Sequence, residues 1–248
     1  MASATTSPLY NPWEENEVSV NAKGGTELMK RRLAERIDPE LAQDFQVICS
    51  RVRQLRDDKI RLYWVHDLPP DIAPEIKDDN ARNRFHKVIF CGNWQYNHFL
   101  DRVGLPMDHK LMVIDNAIIP MPEHQKPTDE INLVYFSTPQ RGLEILIPVF
   151  KNLAEKYSRI RLHVCSSFKI YGMDHIDEEA RFKPLFEECK NHPQIFYHGT
   201  KTNDEMRELL QRMHIFAYPS IWAECNSLAM IEAMSAELLV VSPNFAGL

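Results

Sequence analysis

Residues 132–165, NLVYFSTPQRGLEILIPVFKNLAEKYSRIRLHVC, contain the pattern that decides the fold. An apolar run at 132–136 precedes a polar turn, and a second apolar run occupies 161–165. Between the two runs, apolar side chains recur at helical spacing on one face: Leu143, Leu146, Ile147, Phe150, Leu153 and Ala154. Pro148 lies within this segment and is expected to bend the helix, because it lacks a backbone N–H. Strand, helix and strand in this order predict a parallel βαβ unit.

The same alternation continues toward the C-terminus. Further strands are predicted at 194–197, 214–218 and 238–241. Helices are predicted at 178–190, 204–213 and 227–235. Together with the first unit, these strands and helices predict a Rossmann-like half.

The N-terminal part repeats the pattern less regularly. Residues 1–18 are polar and aperiodic, which predicts an irregular start. Strands are predicted at 45–49, 60–65, 87–91 and 110–114, with helices at 26–36 and 93–103.

The segment 120–127 has three prolines and no apolar period, which is typical of a linker. We therefore predict an α/β fold with two Rossmann-like lobes and parallel sheets. The lobes cover residues 1–119 and 131–248, joined by a linker at 120–130. The C-terminal lobe has the clearer pattern.

Composition and charge exclude several classes of protein. The net charge is -6 and no segment resembles a basic arm, which argues against a nucleic-acid partner. The five cysteines are far apart and odd in number, as in proteins of a reducing compartment. No apolar run is long enough to span a membrane and no export signal is recognisable, so we expect a cytoplasmic protein. Peripheral membrane contact remains compatible with this expectation.

The most informative stretch for chemistry is 218–234, YPSIWAECNSLAMIEAM. It places Glu224 just before a helix that begins near Asn226 or Ser227, and Glu232 inside that helix. The backbone N–H groups of Ser227, Leu228 and Ala229 would point out of the helix, whose N-terminus carries roughly half a positive charge. Such an end binds a diphosphate, and the two carboxylates accept hydrogen bonds from sugar hydroxyls. The ligand indicated is a nucleotide diphosphate sugar.

The spacing of Glu224 and Glu232, with its Pro-Ser lead-in and Glu-Ala-Met continuation, resembles the donor-site signature of the family 4 retaining glycosyltransferases, which have the GT-B fold. The resemblance implies that Glu224 lies beside the transferred sugar and that Glu232 binds the ribose. Taken alone, two acids eight positions apart are more often a solvated helix face.

A second match lies at the strand-to-helix turn that contains Ser137, Thr138 and Arg141. In the family this position carries a basic residue that neutralises the leaving diphosphate, so the resemblance gives this role to Arg141. The hydroxyls of Ser137 and Thr138 can donate to phosphate. The family's additional arginine earlier in this loop is missing, and an exposed arginine at a helix start is the alternative interpretation of Arg141.

Three weaker matches complete the site. Gly24 and Gly25 resemble the Gly-Gly loop of the N-terminal lobe, where backbone approaches the donor or acceptor. His66 follows a predicted strand at the position of a family histidine that faces the transferred sugar. Gly199, in His-Gly-Thr, resembles the loop that borders the base. Each also has an ordinary structural interpretation as a turn glycine or a strand-end histidine.

The sequence departs from the family in two places. Glu237 replaces a glycine where the family makes a tight turn, and the sequence ends at Leu248, where the family continues with further helices. The resemblance therefore implies a C-terminally shortened relative.

The function expected is transfer of a hexose-type unit from a nucleotide diphosphate sugar to an acceptor hydroxyl, with retained configuration. The acceptor is a carbohydrate or another hydroxyl compound. Neither a zinc pattern nor an Asp-x-Asp motif is present, so no metal or other cofactor is expected. The alternatives are a non-catalytic nucleotide-sugar-binding or scaffold module and a sugar-nucleotide epimerase or hydrolase of the same fold.

Overall fold

The structure is a computed structural model that describes residues 24–49, 51–69, 71–171 and 176–248, with side chains from 179 onward in the last range. The described residues form two compact units, one of residues 25–115 and the other of Gly24 with residues 116–248. The irregular start predicted at 1–18 lies outside the described residues. The predicted lobe boundaries at 119 and 131 stay a prediction.

The first unit is built on a parallel sheet in the order β1-β2-β3-β4. Its strands are β1 (Phe45–Cys49), β2 (Ile60–Val65), β3 (Lys87–Phe90) and β4 (Leu111–Val113). Its described helices are α1 (Gly25–Ala34), α2 (Pro39–Ala42), α3 (Ala73–Ile76), α4 (Asp79–Asn83) and α5 (Asn93–Val103). The sheet and these helices enclose their own hydrophobic core, which includes Ile48, Tyr63 and Phe90.

The second unit is built on a parallel sheet in the order β7-β6-β5-β8-β9. Its strands are β5 (Ile131–Phe136), β6 (Ile160–Cys165), β7 (Ile195–Tyr197), β8 (Ile215–Ala217) and β9 (Leu239–Val241). Its described α-helices are α6 (Leu143–Ala154), α7 (Ile176–Arg181), α8 (Lys183–Asn191), α9 (Asn203–Leu210) and α10 (Leu228–Ser235). Two 3-10 turns, Pro139–Arg141 and Phe168–Tyr171, follow the carboxyl ends of β5 and β6.

The strand order of the second sheet determines where a ligand can bind. The chain runs from β5 outward through β6 to β7, then returns to the other side of β5 at β8. Leu133 pairs with Leu162 on one side and with Ile215 on the other. At such a switch point the loops that leave the two neighbouring strands diverge, and a crevice opens at the carboxyl edge. The loops after β5 and β8 therefore form the candidate site.

The prediction of an α/β fold with parallel sheets is confirmed, and each predicted strand is present within one or two residues. One helix prediction was wrong: the segment 178–190 is divided into α7 and α8 by the buried Phe182. Pro184 explains the division, because a proline inside a helix removes a hydrogen bond and clashes with the carbonyl four residues earlier. Pro148, by contrast, lies inside the continuous α6.

The proline-rich segment after β4 contains no helix or strand between residues 120 and 130. Hydrogen bonds attach it to the second unit. Arg207 donates to the carbonyls of Ile119 and Pro120, and Lys126 Nζ donates to those of Met213 and Ala236, at 2.6 and 2.7 Å. Burial lowers the pKa of Lys126, and Glu237 opposes that effect.

The turn between α10 and β9 keeps the conformation of a glycine without having one. Glu237 has φ of 58°, in the left-handed region. A side chain makes this region less favourable by roughly 1–2 kcal/mol, whereas glycine adopts it readily. Glu237 therefore makes the tight turn for which the resemblance implies a glycine, with local strain in the backbone.

The packing of α6 gives a direct test of the fold. Ile147 is fully buried against the sheet, while Val149 on the same helix is 51% exposed. We expect Ile147→Ala to lower the free energy of unfolding by about 2–5 kcal/mol, since it leaves a cavity. Val149→Ala is the matched control and should change it by less than about 0.5 kcal/mol. Urea unfolding measures both, and equal losses would contradict the packing of α6 on the sheet.

The strain at Glu237 is tested by a pair of substitutions. Glu237→Gly and Glu237→Ala both remove the charge, but only the glycine relieves the left-handed backbone. We expect the glycine variant to be more stable than the alanine variant by about 1 kcal/mol. Thermal unfolding compares the two, and an alanine variant as stable as the glycine variant would show that the turn is unstrained.

Candidate active site

The turn after β5 presents the first group of predicted site residues. Tyr135 is fully buried, and its hydroxyl donates to the carbonyl of Thr138 at 2.8 Å, which anchors the turn to the core. Thr138 is itself buried, and its Oγ1 has no hydrogen-bond partner among the described residues. Buried hydroxyls are usually paired, so the unpaired Oγ1 of Thr138 is an unusual feature of this turn.

Gly142 lies directly after Arg141 and holds this turn against the loop that follows β8. Its backbone has φ of 120° and ψ of 9°. A Cβ at this position would lie 2.2 Å from the carbonyl oxygen of Pro219. Only glycine accommodates both the dihedral angle and the close approach. The Arg-Gly and Pro-Ser motifs, separate in sequence, therefore pack backbone to backbone.

This packing brings Arg141 and Glu224 together. Arg141 Nη1 donates to Glu224 Oε1 at 2.6 Å, and the hydroxyl of Tyr218 donates to the same oxygen at 2.5 Å. The Arg141 side chain is 21% exposed and that of Glu224 is 11% exposed. At this depth, losing one partner of an ion pair leaves a poorly solvated charge, which costs several kcal/mol.

Aromatic groups surround the arginine. Nη2 of Arg141 lies 3.4 Å from the hydroxyl of Tyr171, and the guanidinium carbon lies 5.5 Å from the centre of the Trp222 ring, within cation–π range. Burial lowers the pKa of Arg141, but the carboxylate of Glu224, followed by Tyr171 and Tyr218, outweighs burial, so the pKa is raised above its ordinary value. The guanidinium is therefore a permanent positive charge. Its Nε is buried and has no hydrogen-bond partner in the described part of the chain.

The start of α10 follows Glu224 closely in the chain. Ser227 is the N-cap, and its Oγ accepts a hydrogen bond from the N–H of Met230 at 3.3 Å. By helix geometry, the N–H groups of Leu228 and the residue after it have no carbonyl within the helix to bind. Glu232 is half-buried on the same helix. The carbonyl of Asn226 accepts from Asn116 Nδ2 at 2.9 Å, which ties the loop before α10 to the segment after β4.

The C-terminal residues also support the loop that holds Glu224. The N–H of Gly247 donates to the carbonyl of Glu224 at 2.8 Å. A Cβ on Gly247 would lie 2.2 Å from the carbonyl oxygen of Cys225. The backbone of the acidic loop is therefore fixed from both sides, by Gly142 with Pro219 and by Gly247.

The structure groups only part of the predicted site. The second unit brings together Arg141, Glu224 and, through Tyr218, Ser137, whose Oγ lies 3.4 Å from the Tyr218 hydroxyl. Gly199 follows β7 with φ of 67°, at the same carboxyl edge of the sheet. Gly25 begins α1 and His66 follows β2, so both belong to the first unit. Gly24 immediately precedes α1 and is buried.

Three side chains of the site were not predicted from sequence: Tyr218, Tyr171 and Trp222. Tyr218 stands at the end of β8 directly before the Pro-Ser motif, and this position was its only signal. Tyr171 lies in a segment without apolar period.

In the described ranges, no three His, Cys, Asp or Glu side chains are placed so that they could hold a metal ion. None of the described helices has the length and apolar character needed to cross a membrane.

A family model decides the classification. The model described as glycosyl transferases group 1 matches residues 121–248, just over half of the chain, and the match includes Arg141, Glu224 and Glu232. The chain belongs to this family.

The relatives of this group 1 chain are distant. The gpi3 subunit of phosphatidylinositol N-acetylglucosaminyltransferase from Schizosaccharomyces pombe is 24% identical over 148 residues, which are 56% of this chain and 30% of that protein. The chain thus spans less than a third of the length of this curated relative.

Solved structures share the fold. Anabaena Alr3699/HepE, in complex with UDP and glucose, superposes with a TM-score of 0.58 at 17% identity, covering 76% of this chain and 54% of that one. A glycosyltransferase from Rickettsia africae gives a TM-score of 0.56 at 15% identity, with coverage of 94% and 66%. These likenesses agree with the predicted GT-B class of fold.

The contact between Gly142 and Pro219 is tested by Gly142→Ala. The added methyl group meets backbone at 2.2 Å and the dihedral angle is unfavourable, so we expect a loss of about 2–5 kcal/mol in the free energy of unfolding. Gly199→Ala is the control, because Gly199 also has positive φ but has nothing within 4 Å of the added carbon. Its loss should be about 1 kcal/mol. Equal losses in chemical denaturation would show that Gly142 does not join the two loops.

Proposed function

We propose that this chain binds a nucleotide diphosphate sugar at the carboxyl edge of its second sheet and transfers the sugar to an acceptor hydroxyl with retained configuration. Membership of the glycosyl transferases group 1 family supports sugar transfer. The observation that carries the proposal is the pairing of Arg141 with Glu224 in the crevice between the loops after β5 and β8. This pair supplies a cation for phosphate and a carboxylate for sugar hydroxyls at one place.

The positive charges at this edge of the sheet would stabilise a nucleoside diphosphate as the leaving group. Arg141 keeps its positive charge at any ordinary pH, and the N-terminus of α10 adds a partial positive charge. Groups that are already oriented toward the leaving oxygens stabilise the charge that develops there, without reorganisation during the reaction. We propose that the hydroxyls of Thr138 and Ser137 also donate to the phosphates, although Ser137 Oγ lies 3.4 Å from the Tyr218 hydroxyl in the absence of a ligand. We therefore propose that the site needs no divalent metal.

The two carboxylates can accept hydrogen bonds from the hydroxyl groups of the donor's sugar and ribose. We propose that Glu224 contacts the transferred sugar and that Glu232, on α10, binds the ribose, with the backbone around Asn226, Ser227 and Leu228 facing the phosphates.

Three further positions are proposed from the family resemblance. Gly199, in the loop after β7, borders the base. Gly24 and Gly25, at the start of α1, lie beside the donor or acceptor. His66, after β2, lies beside the transferred sugar.

Retention follows from attack on the face that the phosphate leaves. The bond between the anomeric carbon and the phosphate oxygen breaks, and the acceptor oxygen forms its bond to the same face of that carbon. The acceptor's proton passes to the departing phosphate oxygen, so no enzyme nucleophile is required. The fixed cation at Arg141 stabilises the negative charge until that proton arrives.

Two alternative functions would use the same donor site. A binding or scaffold module would hold the donor without turnover, and an epimerase or hydrolase would convert it without an acceptor. Incubation with UDP-, GDP- and ADP-sugars, followed by product analysis, separates them by a transferred sugar, an unchanged donor, or an altered or released sugar. UDP-sugars come first in the panel, because Alr3699/HepE was solved with UDP and with UDP-glucose.

Donor binding is tested most simply at Glu232. Glu232→Gln keeps an acceptor but removes the charge, which lowers the contribution of a hydrogen bond to ribose from about 1.5–3 to about 0.5–1.5 kcal/mol. We expect the dissociation constant of the bound nucleotide sugar to rise by roughly 5- to 15-fold in calorimetry. EDTA should leave the wild-type affinity unchanged.

Glu208→Gln is the matched control, since Glu208 is exposed on α9 of the same unit. It should bind donor as the wild type does. If Glu232→Gln also kept the wild-type affinity, the ribose contact would be excluded and the donor site would have to be moved.

A further inference from the structure

We propose that Tyr218 is the positioning residue of Glu224. Its hydroxyl holds Oε1 of the carboxylate, so that Oε2 is presented to a hydroxyl of the transferred sugar. This inference rests on the proposed function and extends it, because it assigns separate tasks to the two carboxylate oxygens. It also identifies a residue whose effect is confined to the sugar part of the donor.

The hydrogen bonds at Glu224 are one-sided. Both donors, Arg141 Nη1 at 2.6 Å and the Tyr218 hydroxyl at 2.5 Å, meet at Oε1. Oε2 has no hydrogen-bond partner among the described residues. It is also not completely buried. A carboxylate oxygen has two lone pairs and prefers charge-assisted hydrogen bonds from donors. Oε2 is therefore the acceptor that this cluster offers to a ligand hydroxyl.

Tyr218 cannot easily turn away from Glu224. The residue is only 1% exposed, and its ring stacks on Phe216 with centroids 5.0 Å apart and 16° between the planes. The ring of Tyr135 packs at 5.9 Å on another side. The backbone N–H of Tyr218 donates to the carbonyl of Val241 at 2.9 Å, which continues the sheet beyond β8. A rigid strand end thus fixes the hydroxyl.

The proton on this hydroxyl is directed toward the carboxylate. Burial raises the pKa of Tyr218, and the negative charge of Glu224 raises it further. Tyr218 therefore remains a neutral donor at every ordinary pH. Without a ligand, Ser137 Oγ, 3.4 Å away, can donate to the tyrosine oxygen, because the tyrosine proton is already directed to Glu224.

The two donors differ in what happens when a diphosphate binds. Arg141 carries the charge that a phosphate attracts, so a nucleotide sugar competes with Glu224 for its guanidinium. Tyr218 is uncharged and enclosed by aromatic rings, so it has no reason to leave. Tyr218 therefore keeps the carboxylate in place whichever acceptor binds the guanidinium of Arg141.

The experiment compares the affinities for UDP and for the UDP-sugar that the wild type binds. Tyr218→Phe keeps the ring and removes the hydroxyl. Its affinity for UDP should stay within about twofold, while the gain in affinity from the sugar should fall by roughly tenfold, as expected for one hydrogen bond to a charged group. A packing defect would lower the affinities for UDP and for the UDP-sugar by the same factor. Far-UV circular dichroism and the retained affinity for UDP show whether the phenylalanine variant is folded.

Tyr197→Phe is the matched control. Its hydroxyl donates to the carbonyl of Ser166 at 2.8 Å, and β7 lies three strands away from β8. The control should retain the wild-type ratio of the two affinities. A loss of that ratio equal to the loss in Tyr218→Phe would overturn the proposal.

A double-mutant cycle with Glu224→Gln identifies the route of the effect. If Tyr218 acts through Glu224, adding Tyr218→Phe to Glu224→Gln should cause no further loss in the sugar-dependent gain. Additive losses would overturn the positioning role and leave the proposed function intact. A wild type that binds neither UDP nor any UDP-, GDP- or ADP-sugar would overturn the proposed function, and the role of Tyr218 with it.

Discussion

The ion pair between Arg141 and Glu224 is the interaction on which the candidate site depends. It joins two loops that leave neighbouring parallel strands, and the close backbone contact between Gly142 and Pro219 makes the pairing possible. Both side chains are largely buried, so neither charge can be removed without leaving the other poorly solvated. A largely buried ion pair at a sheet switch point is typical of a ligand site.

The pair also explains how one small region serves two chemically different parts of a donor. Arg141 provides a permanent cation, while Glu224 retains one oxygen that no described side chain occupies. The start of α10 adds backbone donors next to them. The neighbouring hydroxyl of Tyr218 supplies a hydrogen bond without adding charge, so the carboxylate remains able to accept from a sugar.

The sequence predicted the two parallel sheets, because apolar strands alternate with amphipathic helices whose lengths and spacings are distinctive. It also predicted that a helix begins near Asn226 or Ser227, and the structure shows that Ser227 caps α10. The contact between Arg141 and Glu224 could not be predicted, since it links residues 83 positions apart and depends on strand register and on a glycine dihedral angle. The division of a predicted helix at Phe182 was missed because apolar residues recur at helical spacing on both sides of Pro184.

The most direct test of this donor site is a crystal structure of the chain with a bound UDP-sugar, and the quantity to measure is the distance from Glu224 Oε2 to the nearest sugar hydroxyl. We predict a hydrogen bond there, with the diphosphate between Arg141 and the N-terminus of α10. We also predict that Tyr218 still donates to Oε1. A nucleotide sugar bound elsewhere, or a sugar that leaves Glu224 without contact, would contradict the assignment.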